Sequence, residues 1–451
     1  MATTPMGSRT EMAGLLAKSS ELKKRILFVL GALIVFRLGT HIPVPGVDAL
    51  TLSQVNTTST GGIMDMLNMF TGGAMSRMAV FSLGVMPYIS ASIIMQLLSF
   101  AYPALSDLKK EGEMGQRKIT QYTRYLTLFI AFGQGYAYAM GWEQQTATFG
   151  SETVNLVVTS GAMFKLQAAF TLMTGTMFLM WLGEQITGRG IGQGVSVLIF
   201  AGIVAELPAA IYQTIEQMRV GAVAGYIGVS VFAVAMITIF AVVYMETARR
   251  KVLVQYPKRN MVGSSEASHM PLKINMGGVM PAIFASSILM AALSVVNMNP
   301  NADWAQWLAA WVTPGQPIYM IIFSAFLIVM CFWWLTVTFN SKDAADNLKK
   351  QNGFVPGIRP GKATAEYFDY ILKRITLIGA IYLVIICNLP QVIMGQFNIP
   401  ANAAYLMGGT SLLIIVSVTI DLVERIQSHL IAQKYDSLLK KTKFKRNKGA
   451  R

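Results

Sequence analysis

Residues 61–100, GGIMDMLNMFTGGAMSRMAVFSLGVMPYISASIIMQLLSF, decide the architecture. From Met78 to Phe100 the stretch reads as a plain membrane-spanning helix. The piece before it is different. Ile63 to Phe70 is apolar and Met-rich, and glycine pairs bracket it at Gly61-Gly62 and Gly72-Gly73. It is far shorter than the ~20 residues a span needs, yet too apolar for a solvated loop. Two readings fit. One is a re-entrant lid folded beside the following helix, tolerated where protein or a watery cavity surrounds its backbone. The other is an interfacial helix lying on the bilayer.

The remainder of the chain is membrane-like throughout. Of its 451 residues, 53% are hydrophobic and 13% charged. That balance points to an all-α polytopic membrane protein and excludes a soluble enzyme carrying one anchor. Apolar windows place ten spans near 24–42, 76–100, 120–141, 163–186, 191–211, 222–247, 278–297, 317–339, 367–388 and 403–427. The expected parts are a tail over 1–23, a first half over 24–216, a second half over 217–427 and a basic tail over 428–451. No removable signal peptide is expected, because the polar, basic start meets the first apolar run without a small-residue cleavage site. Cys331 and Cys387 fall inside spans, as buried thiols rather than a disulfide or metal pair.

Charge sets the expected orientation. All Lys and Arg except Arg37, Arg77, Lys165 and Arg219 fall on the side of the N-terminus. The opposite segments 143–161 and 298–316 contain neither residue type. By the positive-inside rule both termini and the large loops are cytoplasmic. The tail from Lys434 to Arg451 is dense in positive charge, which suits anionic lipid or a negatively charged partner such as RNA.

Two of these loops are larger than topology requires. In 248–277, Lys251 to Tyr256 alternates like a strand ending at Pro257, and Pro271 to Ile274 is a second extended piece able to pair with it. In 340–366 lies FVPGIRPG, residues 354–361, where prolines fix φ and glycines supply the turns. This loop presents Arg359 at its tip. Together with Arg250, Lys251, Lys258 and Arg259 it forms a rigid basic surface expected to dock a cytosolic partner.

The chain also repeats itself. Gly84 to Ser92 and Gly278 to Ser286 share the pattern G-V-M-P-x-I-x-A-S. One opens the second span and the other the seventh. An offset of five spans reverses direction through the bilayer, as an inverted-topology duplication does. Two pseudo-symmetric five-helix halves follow, with a functional site between them and small residues allowing close approach.

Much chemistry is missing. Gly188 to Gly194 imitates a dinucleotide fingerprint, but it follows a membrane helix rather than a strand. No span centre holds a His to activate a serine. Arg37, Glu184, Glu206, Asp421 and Glu424 are read as lying toward helix ends, whereas an ion-coupled carrier needs deep ionisable groups. The reading is a passive, apolar-lined conduit without cofactor, metal or catalytic residue. A secondary transporter with inverted repeats is the alternative.

Several stretches carry a family resemblance: MPYISASIIMQLL at 86–98, KKEGE at 109–113, QYTRY at 121–125, TGTMFLMWLGEQIT at 174–187, RGIG at 189–192, PAIFASS at 281–287, ADNLKK at 345–350, FVPGIRPG at 354–361 and GGTSLLI at 408–414. Over nearly its full length the chain resembles the SecY/Sec61-alpha family, whose bacterial members are the channel subunits of the protein translocase. The resemblance implies an hourglass channel for secretory and membrane-protein clients in the inner membrane. It implies a plug over 61–75, including Ile63, Met64, Met66, Leu67, Met69 and Phe70. It implies a constricting ring of Val85, Ile89, Ile191, Val195, Met280 and Ile414; Val85, Val195 and Met280 depart from the isoleucine usual there. A lateral gate would lie between the second and third spans and the seventh and eighth. SecE and SecG are the implied membrane partners, with the SecA motor ATPase and the ribosome on the basic loops. The short tip at 260–268 departs from the family in lacking a further Arg pair.

Overall fold

The computed structural model describes residues 20–48, 68–143, 146–149, 152–155, 157–158, 160–221, 225–255, 268–298, 302–313, 316–397, 404 and 408–448. Its elements in chain order are helix α1 (Ser20–Gly39), α2 (Met86–Ala101), α3 (Pro103–Lys110) and α4 (Glu113–Glu143), then a hairpin of β1 (Thr146–Phe149) and β2 (Glu152–Asn155). Next come α5 (Ala162–Arg189), α6 (Gly194–Val220), α7 (Gly225–Thr247), β3 (Arg249–Val254) and β4 (Ser268–Lys273). The last are α8 (Met280–Met298), α9 (Asp303–Val312), α10 (Pro317–Thr338), α11 (Ser341–Lys350), α12 (Lys362–Phe397) and α13 (Gly409–Lys448).

The protein is an all-α membrane fold, and each expected span overlaps a helix. Helices α5, α6, α7, α10 and α12 are long and apolar enough to cross a bilayer unaided, and α2 with α3 makes a sixth candidate bent by 106°. The bend falls where Pro103 opens a new helix, since proline cannot extend the preceding hydrogen-bond ladder. Among the described residues, every strand belongs to one of two short antiparallel hairpins.

The largest departure from expectation is in the opening stretch. Residues 71–85 are turns, and the helix starts only at Met86. At about 1.5 Å per residue its 16 residues reach roughly 24 Å. Hydropathy counted Met78 to Val85 as helix because they are apolar, but their backbone groups pair elsewhere. Val44 N–H donates to Met78 O and Val80 N–H donates to Ile42 O, both at 2.9 Å, so the chain leaving α1 straps residues 78–80 through a single antiparallel bridge, Pro43 to Ala79, and Met78 takes a left-handed φ of +45° that no helix contains.

Helices α5 and α6 form a tight pair whose closeness depends on glycine. A Cβ placed on Gly194 would stand 1.8 Å from the Gly183 carbonyl oxygen. Thr187 Oγ1 accepts the Gly194 N–H at 2.8 Å while donating to Gly183 O at 2.9 Å, which closes the turn. Gly194→Val is therefore expected to destabilise the fold by about 3 kcal/mol, the upper end of overpacking costs. The check is the yield of monodisperse protein after detergent extraction, with Ser196→Val as the nearby control.

Candidate functional site

The two repeats fold alike in backbone detail. Gly84 and Gly278 both adopt φ +56°, a region open to glycine because it lacks a Cβ. Met86 N–H donates to Leu83 O at 3.4 Å, and Met280 N–H to Gly277 O at 3.3 Å. Ile89 N–H donates to Val85 O and Ile283 N–H to Val279 O, both at 3.1 Å. Each repeat thus turns sharply at its glycine and enters a helix with proline in the first turn, where no N–H is needed. The helices so opened, α2 and α8, pack together. Ala91 and Ala285 are buried, and Ser287 Oγ lies 3.8 Å from Met86 Sδ across the contact.

Around these openings lies one continuous apolar cluster. It contains Val85, Ile89 and Ile414 as buried members, with Val195 and Met280 packed against it partly buried. Ile191 is not among them. It sits in the connector before α6 and packs with Leu22 and Leu430 in a separate small cluster. The reason is where α6 begins. With Gly194 as its first residue, Val195 occupies the first helical turn and Ile191 is left in the preceding bend.

Met69 and Phe70 belong to the same central cluster, buried to 4% and 6% exposure. Ile63, Met64, Met66 and Leu67 lie outside the described residues. The described part of the loop is held by charge. Arg37 Nη1 donates to Gly72 O at 2.6 Å and lies 3.9 Å from Glu206 Oε1, while Arg77 Nη1 donates to the same carbonyl at 3.4 Å. Asn68 folds the loop on itself, its Oδ1 accepting the Ser76 N–H at 2.9 Å and its carbonyl accepting the Gly73 N–H at 2.8 Å. Against expectation, Glu206 lies near the middle of α6 rather than toward its end. The sequence reading missed this contact; the signal that would have found it is a mid-span carboxylate in an apolar helix, since such groups are kept for a partner.

The two basic loops join into one platform. Strands β3 and β4 pair from Arg249 opposite Lys273 to Val254 opposite Ser268; β3 lies two residues earlier in the chain than the alternation implied, and β4 starts three residues before the expected Pro271. Gln255 and Phe354 then exchange backbone hydrogen bonds at 2.8 and 2.9 Å, stitching the hairpin to FVPGIRPG. Val252, Val254, Leu272 and Val355 share a core with Phe368 and Leu372 of α12. Arg249 and Lys273 both reach Glu424 of α13, the first at 2.5 Å. On this base Arg250, Lys251 and Arg359 are exposed. Lys258 and Arg259 lie outside the described residues.

Duplicated helix openings that meet on an apolar cluster, a buried loop lying against it and a basic platform define a polytopic helical membrane protein built on an internal repeat. The SecY family model matches residues 79–423. A protein translocase subunit SecY from Vibrio cholerae is 47% identical over 435 residues, covering 94% of this chain and 96% of the relative. A solved SecY structure, whose plug domain stabilises the closed state of a translocation channel and maintains a membrane seal, superposes with TM-score 0.61 at 16% identity, covering 91% of this chain and 93% of that one. Sec61 in the canine ribosome-channel complex superposes with TM-score 0.62 at 15% identity over the same shares. This chain belongs to the SecY family.

Proposed function

We propose that this chain is the protein-conducting channel of a translocase. It passes unfolded secretory polypeptides across the bacterial inner membrane and releases apolar segments sideways into the bilayer. Both termini are cytoplasmic, and the halves 24–216 and 217–427 part around the path. The observation that carries the reading is the single apolar cluster in which Val85, Ile89, Val195, Met280 and Ile414 meet the buried Met69 and Phe70. An apolar constriction excludes ions by dewetting and adapts to any side chain passing through it. Residues 61–75 act as the plug. The lateral gate lies between the α2/α4 pair and the α8/α10 pair. The platform carrying Arg250, Lys251 and Arg359, together with Lys258 and Arg259 of the same loop sequence, receives the SecA motor ATPase and the ribosome, SecE and SecG bind in the membrane, and the basic tail lies on anionic lipid. The energy comes from these partners, and the chain itself is a conduit rather than an enzyme.

The test is site-specific crosslinking of a stalled, cysteine-bearing secretory chain to single cysteines placed at Ile89, Val195 and Ile414. Adducts are expected at all three, with few at Ile191→Cys. Adducts at none of them, in folded protein with its partners bound, would return the secondary-transporter reading to first place.

A further inference from the structure

Helix α9 is too short to cross a membrane: its 10 residues span about 15 Å. Its surface divides into three strips. Trp304, Trp307 and Trp311 recur at helical spacing on one face and are 49%, 65% and 42% exposed. Ala305 is fully buried on a second face, and α9 packs against both α8 and α10. Asp303 and Gln306 are exposed on the third.

We propose that α9 is an in-plane anchor whose tryptophan face sits in the headgroup–acyl boundary of the bilayer, on the membrane side opposite the basic platform. Three observations select lipid over a protein partner. The face carries tryptophan alone, the residue whose apolar ring and N–H suit that boundary. Helix α10, which packs against α9, is likewise apolar where it is exposed, with Ile318 and Ile321 at 47% and 70%. The segment 298–316 contains no Lys or Arg, so no cationic rim is present to guide an acidic protein. A helix lying this way has one flank in lipid, one against protein and one in water, which is the division seen. The placement of α9 depends on the helical membrane fold, not on what the channel conducts.

The test uses nitroxide labels on Trp307→Cys and Gln306→Cys in the full chain, reconstituted in phosphatidylethanolamine–phosphatidylglycerol vesicles. The native thiols Cys331 and Cys387 are buried and leave little background. Collision of the label with oxygen reports lipid, and collision with a water-soluble nickel complex reports solvent. The oxygen-to-nickel ratio is expected to be several-fold higher at position 307 than at 306. Equal ratios would overturn the anchor. Shielding of position 307 from both reagents would also overturn it, because a protein surface would then cover the face. Labels at Trp304→Cys and Trp311→Cys must repeat the lipid signature, which guards against a local distortion at one site.

Discussion

Gly202→Leu is expected to open the resting channel to small ions. A Cβ at Gly202 would lie 2.8 Å from the Phe70 carbonyl oxygen and 3.2 Å from the Gly72 nitrogen. Both are backbone atoms, so no side chain can rotate away. The loop must lift off α6, which also strains the Arg37 bond to Gly72 O. Overpacking of this kind costs about 3 kcal/mol. That shift multiplies the unseated population by about a hundred, at roughly 1.4 kcal/mol per tenfold. Single-channel recording in planar bilayers, without client or motor, reads it directly as open probability. Unchanged conductance in a folded Gly202→Leu protein would remove the plug from this loop. Deleting 63–70 gives an independent arm that leaves α6 untouched. A leak from Gly202→Leu without a leak from the deletion would place the defect in α6 rather than in the plug.

Arg359→Glu is expected to bring motor-driven export to background while the protein accumulates normally. The loop holds its shape without that side chain. Gly357 and Gly361 take φ +81° and +105°, Val355 is buried at its base, and Thr364 Oγ1 donates to the Arg359 carbonyl at 2.9 Å. Exposed substitutions of this kind usually change stability by no more than about 0.5 kcal/mol. At a partner interface, reversing a central arginine costs on the order of 2–5 kcal/mol, enough for a loss of 30-fold or more. ATP-driven import of a labelled preprotein into inverted vesicles is the readout. Arg359→Lys should retain part of the activity, because lysine keeps the charge but loses the planar fork. Full import by Arg359→Glu would end the case for docking at this loop.

What was legible in the residues was mostly local. The β3–β4 hairpin showed in the alternation after Arg249. The duplication showed in G-V-M-P, and its two glycines prove to share one backbone angle and one pattern of hydrogen bonds. Hydropathy misplaced the start of α2, because it weighs apolar character and is blind to where an N–H group finds its acceptor. The repeat itself marked the true start, since Pro87 and Pro281 sit one residue inside their helices. Ile191 and Val195 were indistinguishable by residue type. They separate only through a four-residue difference in position across the end of a helix.

Without showing the start of α2 or the short helices α3, α9 and α11, the residues alone were enough for the class of fold, the place of the long apolar helices, the duplicated openings and the two basic loops. Each of these depends on residue type and short-range spacing, which fix burial preference and backbone freedom. Three further features came only with the packing of distant segments. It placed Glu206 and Arg37 on one loop although 169 residues separate them. It joined Gln255 to Phe354, making two loops one platform. It drew Val85, Val195, Met280 and Ile414 into one apolar cluster and left Ile191 outside. These are contacts between distant segments, set by how whole helices pack, and no local pattern encodes a helix's neighbour.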